Sequence, residues 1–133
     1  MSKLVLACGV FDLLHVSHVR HLQEAKTFGN QLVVCVTRDA FVNKPGRPII
    51  NEDQRLEMVR ALSCVNRAEL VNDSLEALRR FRPAVFCKGA DYIEKGLLPE
   101  ELDLCEHYGT KIVHTSANPQ TTSAIIERIR CTS

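Results

Sequence analysis

An excess of either charge is almost absent from this chain: 17 lysines and arginines stand against 16 aspartates and glutamates, a formal net charge of +1. So even a balance excludes the broad basic face that nucleic acid or an anionic membrane requires, and any anion site has to be local. Long apolar runs are also missing, and none approaches the roughly 18 residues of a membrane span. The amino terminus lacks a basic start, a long apolar core and a small-residue cleavage site, so a cytoplasmic protein is expected. No cysteine pair has CxxC spacing: Cys8, Cys35, Cys64, Cys87, Cys105 and Cys131 are irregularly scattered, which argues for reduced thiols. Cys8, Cys35 and Cys87 lie in or beside apolar segments, where cysteine acts as a small core hydrophobe. Internal repeats, low-complexity tracts and linkers are absent too. With 133 residues, a single domain over 1–133 with one core is expected.

Short apolar runs, by contrast, recur. Leu4 to Cys8, Leu32 to Val36, Ala84 to Cys87 and Lys111 to His114 read as strands, with a weaker one near Ala68 to Val71. Uninterrupted apolar runs are expected of parallel strands covered on both faces. Helical spacing links Val19, Leu22, Ala25 and Phe28, with Gly29 as the C′ stop. Asn51 suits the N-cap of a helix through Leu62, with Leu56, Val59 and Leu62 as its apolar face. Further helices fit Leu75 to Phe81, Glu100 to Tyr108 and Thr121 to Arg130, the last with Ile125, Ile126 and Ile129 inward. The order β-α-β-α-α-β-α-β-α-β-α predicts an α/β fold: a single Rossmann-like, doubly wound, five-stranded parallel sheet with helices on both faces. Asn43-Lys44-Pro45-Gly46-Arg47-Pro48 is too stiff and polar for regular structure and reads as a loop able to close over a ligand.

The first strand runs into Gly9-Val10-Phe11-Asp12-Leu13-Leu14 and then His15-Val16-Ser17-His18. In an open α/β sheet this turn lies at the carboxyl edge, where backbone N–H groups and a helix N-terminus receive anions. His15 and His18, three residues apart, can add hydrogen bonds to phosphate oxygens; polarity on a helix surface is the plainer reading. His21 continues the same interval. Three histidines at such steps drift by about 60° each around a helix, and no neighbour has zinc-ligand spacing.

The stretch Gly9 to His18 resembles the signature of the cytidylyltransferase-like nucleotidyltransferases, Gly-x-Phe-Asp followed by His-x-Gly-His, with Ser17 in the place of the motif glycine. Lys44 matches the family's loop lysine, Gln54-Arg55 its Glu-x-Arg helix start, and Thr121-Thr122-Ser123 its Ser-Thr-Thr motif. Lys88-Gly89-Ala90-Asp91-Tyr92 is similar to the adenylyltransferase domain of ADP-heptose synthases, as is Gly46-Arg47-Pro48. The resemblance implies transfer of a nucleoside monophosphate, AMP from ATP or else CMP from CTP, to a small phosphorylated acceptor such as a sugar 1-phosphate. It implies His15, His18 and Lys44 as catalytic residues. Gly9, Val10, Phe11, Arg55, Lys88, Gly89, Asp91, Thr121, Thr122 and Ser123 are implied to bind nucleotide. Mg²⁺ is implied on the NTP phosphates, with Asp12 a turn residue and not a metal ligand, and a homodimer as the assembly. Lys88 is also placed to touch the acceptor phosphate, and Arg47 to reach the polyphosphate. A solvated basic loop is the alternative for Lys44 and Arg47, a surface ion pair for Arg55, a simple turn for Gly89 and ordinary helix caps for the hydroxyl cluster. Cytidylyltransferases carry Arg-Thr-Glu-Gly before that cluster, where this chain has Ser116-Ala117-Asn118-Pro119. A glycerol-3-phosphate cytidylyltransferase, an adenylyltransferase resembling FAD synthase and a nucleotide-binding protein without catalysis are the competing readings.

Overall fold

The computed structural model describes residues 3–116 and 122–132. Strands β1 (Leu4–Gly9), β2 (Gln31–Thr37), β3 (Arg67–Val71), β4 (Val85–Lys88) and β5 (Lys111–His114) form one sheet. Every pairing is parallel and the order is β3-β2-β1-β4-β5. The helices are α1 (Val16–Lys26), α2 (Glu52–Arg60), α3 (Ser74–Phe81), α4 (Tyr92–Lys95), α5 (Pro99–Tyr108) and α6 (Thr122–Thr132).

Alternation along the apolar strands builds two cores. Val5, Ala7, Val34 and Val36 pack with Leu22 and Ala25 of α1 and with Leu56 and Val59 of α2. Leu6, Val33, Cys35 and Phe86 pack with Ala77 and Leu78 of α3 and with Cys105 of α5. The sheet is therefore covered on both faces, the Rossmann-like arrangement that continuous apolar strands require. A fully buried Leu or Val contributes roughly 1.5–3 kcal/mol, and these layers hold helices that would be marginal alone. Side-chain caps fix where helices begin: Asn51 accepts from the Gln54 N–H at 3.0 Å and Asp73 from the Glu76 N–H at 2.9 Å.

Three details differ from the sequence reading. Between β2 and β3 the only α-helix among the described residues is α2, preceded by a 3-10 turn at Asp39–Phe41, whereas two helices, α4 and α5, separate β4 from β5. Gly29 is not a left-handed C′ residue; α1 ends at a right-handed Thr27, and a Cβ on Gly29 would run into the Lys3 carbonyl. Ile129 is 57% exposed, so the inward face of α6 is limited to Ile125 and Ile126, both partly buried. All six cysteines are free thiols. Among the described residues no helix is long and apolar enough to cross a membrane.

Candidate active site

Because β1 is central, its carboxyl end delivers Gly9-Val10-Phe11-Asp12 to the middle of the sheet edge. Here the backbone bends sharply, with Phe11 and Leu13 at φ 54° and 51°, a left-handed conformation that costs a non-glycine residue of order 1–3 kcal/mol. The bend sends the Phe11 ring into the core, and it passes so close to Gly9 that an added Cβ would lie 2.9 Å from Cε2.

Two buried charges hold this turn. Arg55 is 1% exposed and donates from Nη1 to the Val10 carbonyl (2.6 Å), from Nε to the Ile50 carbonyl (2.9 Å) and from Nη2 to Asp39 Oδ1 (2.6 Å). Asp12, also 1% exposed, accepts on Oδ2 from Arg47 Nε (2.7 Å) and the Ile49 N–H (2.9 Å), and on Oδ1 from the Ile50 N–H (3.0 Å). Burial pushes the Asp12 pKa up, but the two backbone donors and Arg47 outweigh it and hold the carboxyl below its ordinary value. The Asp12 carbonyl accepts from the Thr122 hydroxyl at 2.8 Å, bringing the start of α6 to the same turn.

The histidines open α1. His15 is the N-cap, its Nδ1 accepting from the Ser17 N–H at 3.2 Å, while His18 Nδ1 accepts from the His15 N–H at 3.2 Å. A backbone N–H can donate only to an unprotonated ring nitrogen, so each neutral ring carries its proton on Nε2. The rings stack at 3.9 Å, and the Phe11 ring meets His18 edge-on at 5.4 Å. Burial, then the neighbouring His15 and His21, lower the His18 pKa to about 4; burial also lowers that of His15. The pair thus consists of neutral donors at pH 7, and His15 Nε2 is shielded from solvent with no partner among the described residues. Ser17 is buried within this first turn.

The remaining predicted residues divide. Lys44 and Ser123 line an open groove of about 340 Å³ with Pro45, Arg47, Ile126, Glu127 and Arg130. Thr122 joins the Asp12 carbonyl, and Thr121 lies outside the described residues. Arg55, itself buried, grips two backbone carbonyls and the part-exposed Asp39, so an ion pair with a nearby acid is present but is only one of its three bonds. Lys88 is folded inward, its ammonium 4.0 Å from the Tyr92 ring centroid and 3.5 Å from Glu101. Asp91 is exposed and within 3.3 Å of Lys95, and a Cβ on Gly89 would meet Asp91 Oδ1 at 2.8 Å. The Thr115 N–H donates to the Lys88 carbonyl at 2.9 Å, placing the β5 exit beside this segment. Sequence reasoning missed the Asp12–Arg47 tie, which no spacing announces, and Thr115. Among the described residues no group of three or more His, Cys, Asp or Glu side chains is placed to hold a metal ion. Burial pushes the Cys87 thiol up to about 12, and Cys8 is raised by its hydrogen bond with Cys35 and by burial. Neither is a thiolate nucleophile.

This strand, turn and histidine-led helix are those of the cytidylyltransferase-like family, whose model matches residues 6–128, and the chain belongs to that family. Among its curated relatives, the bifunctional protein HldE of Geobacter metallireducens is 35% identical over 134 residues, covering 96% of this chain and 27% of that protein. FAD synthase of Methanothrix thermoacetophila is 43% identical over 101 residues, 74% of this chain and 71% of that one. The chain therefore spans about a quarter of the HldE protein's length. A crystal structure of a lipopolysaccharide core biosynthesis protein from Thermoplasma volcanium superposes with a TM-score of 0.76 at 33% identity, covering 89% of this chain and 99% of that one. Pantoate-beta-alanine ligase of Francisella tularensis, 14% identical with a TM-score of 0.62 over 97% of this chain and 69% of its own, shares the fold.

Proposed function

We propose that the protein transfers AMP from ATP to the phosphate of a small acceptor, releasing pyrophosphate. The observation that carries this reading is the stacked His15–His18 pair, with both protons on Nε2 at the phosphate-receiving turn of a family fold. An oxygen of the acceptor phosphate forms a bond to the α-phosphorus, and the bond to the bridging α–β oxygen breaks with its electron pair leaving on pyrophosphate. No protein nucleophile is needed, so catalysis reduces to positioning and charge stabilisation. His15 and His18 donate to α- and β-phosphate oxygens as charge develops there. Lys44 and the start of α6, with Thr122 and Ser123, restrain the triphosphate. Arg55 serves the reaction by fixing the Val10 carbonyl, leaving the Gly9–Phe11 backbone in one shape. Magnesium bound with the nucleotide would supply charge neutralisation at the phosphates. Asp12 has both carboxylate oxygens engaged by protein donors, which fits a metal held by phosphate and water.

Sugar 1-phosphates are the leading acceptor class, on the Lys88 to Tyr92 resemblance. The 43% identity to an FAD synthase favours a second reading in which FMN is the acceptor. The same proposal covers a single domain over 1–133 and a cytoplasmic homodimer, the latter checked by sedimentation. The test is Mg²⁺-dependent pyrophosphate release with ATP and CTP in parallel, against heptose 1-phosphate, other sugar 1-phosphates, glycerol 3-phosphate and FMN. Acceptor-dependent release that prefers ATP and disappears in His18→Ala is the expected result. A CTP preference overturns the adenylyl assignment, and nucleotide binding without release under every pairing overturns transfer.

A further inference from the structure

Three residues beyond His18 on α1, His21 Nδ1 lies 2.7 Å from the Thr115 hydroxyl. One turn further, both Glu24 carboxylate oxygens lie 3.1 Å from the Ser116 N–H. Thr115 is buried and its own N–H is bound to the Lys88 carbonyl. The backbone leaving β5 is thus fastened at once to α1 and to the end of β4. His21 and Thr115 stand 94 positions apart, so their bond joins separate elements and stabilises neither internally. The charged groups that act on His21 are Glu24 and Asp91 on one side of the balance and Lys88 on the other. Through Thr115, whose N–H binds the Lys88 carbonyl, the ring stands where α1, the β5 exit and the end of β4 converge.

We infer that His21 is a positioning residue: its bond to Thr115 sets the separation between the His15–His18 end of α1 and the β4–β5 edge, the gap in which the proposed reading seats the nucleoside. The inference rests on the nucleotide-binding part of the reading above. A helix that carries phosphate donors at its start and grips the opposite wall one turn later keeps phosphate and nucleoside contacts in register. A space-filling ring at position 21 would achieve burial without that register.

The test compares His21→Phe, Thr115→Val, the double variant and His21→Asn, whose amide group replaces Nδ1. The dissociation constants of ATP and CTP by calorimetry, the nucleotide KM and kcat, and Tm are measured for each. Each of the first two is expected to raise Kd and KM about five- to tenfold, with kcat within about twofold, the effect of one lost hydrogen bond. The double variant is expected to be no weaker than the weaker single one, since both delete the same bond. His21→Asn is expected to recover affinity to within about twofold of the parent. Multiplicative losses in the double variant, or a lowered Tm with unchanged nucleotide affinity, overturn the proposal. A parent protein that binds nucleotide yet releases no pyrophosphate refutes transfer, while the affinities still decide the role of His21. Absence of nucleotide binding refutes both.

Discussion

On the α1–α2 face of the sheet the buried charges hold backbone. Arg55 donates to the Val10 and Ile50 carbonyls, and Asp12 accepts from the Ile49 and Ile50 N–H groups. On the α3–α5 face the buried pair mainly joins side chains: Lys88 lies 3.5 Å from Glu101, which also accepts from the Ser74 hydroxyl at 2.7 Å and from one backbone donor, the Leu98 N–H, at 2.9 Å. The first arrangement fixes the shape of loops around the histidines. The second fixes the spacing of α3 and α5 from β4. Charge of similar burial is therefore expected to have different consequences: disruption on the first face is expected to alter turnover along with stability, and disruption on the second to alter stability alone.

Arg55→Met breaks the comparison most severely. It removes three hydrogen bonds from a buried guanidinium and is expected to cost about 3–5 kcal/mol in urea unfolding, with turnover falling as the Val10 carbonyl is released. His18→Ala is next, lowering kcat by about 10²-fold or more with a smaller effect on nucleotide affinity, as read from pyrophosphate release. Lys88→Met sharpens the contrast: a loss of about 2 kcal/mol is expected with both substrate KM values unchanged. A raised acceptor KM would instead show that Lys88 reaches the acceptor phosphate.

Acid acts on the turn and histidines of the first face. His18 titrates near 4 in the native protein against an ordinary value of 6.5. Between those values the unfolded chain binds a proton that the native state refuses, so stability is full above pH 6.5 and declines as pH falls toward 4. The depressed Asp12 pKa adds a separate loss below its ordinary 3.8. Urea midpoints across pH 4–7 are expected to slope in the parent and to slope less in His18→Gln, where the lowered pKa values of His15 and His21, both depressed by burial, keep the remainder. Ser17→Gly is the mildest change, lowering stability by no more than about 0.5 kcal/mol through helix propensity, with nucleotide KM nearly unaltered.

The fold was legible in the sequence because strands covered on both faces must be apolar throughout, and the runs at Leu4, Leu32 and Ala84 are. The turn and its histidines were legible because Gly9, Asp12, His15 and His18 recur at every third position directly after an apolar strand. The fate of Arg55 and Lys88 was not. A guanidinium or ammonium has the same donors whether it faces a phosphate, a carbonyl or a carboxylate, and only the fold decides which oxygen arrives. The Asp12–Arg47 and His21–Thr115 contacts join positions 35 and 94 residues apart, beyond anything local spacing encodes. His21 carried a faint signal, the three-residue interval it shares with His15 and His18.

The opening of α1 ties folding to acid–base state in an unusual way. Helix initiation itself assigns the tautomers, because the first backbone amides claim the δ nitrogens and drive each proton to the far side of its ring. The donors are therefore wired by the same event that starts the helix, and no proton has to be relocated when an anion arrives. Nor can either imidazole switch tautomer while that first turn remains wound.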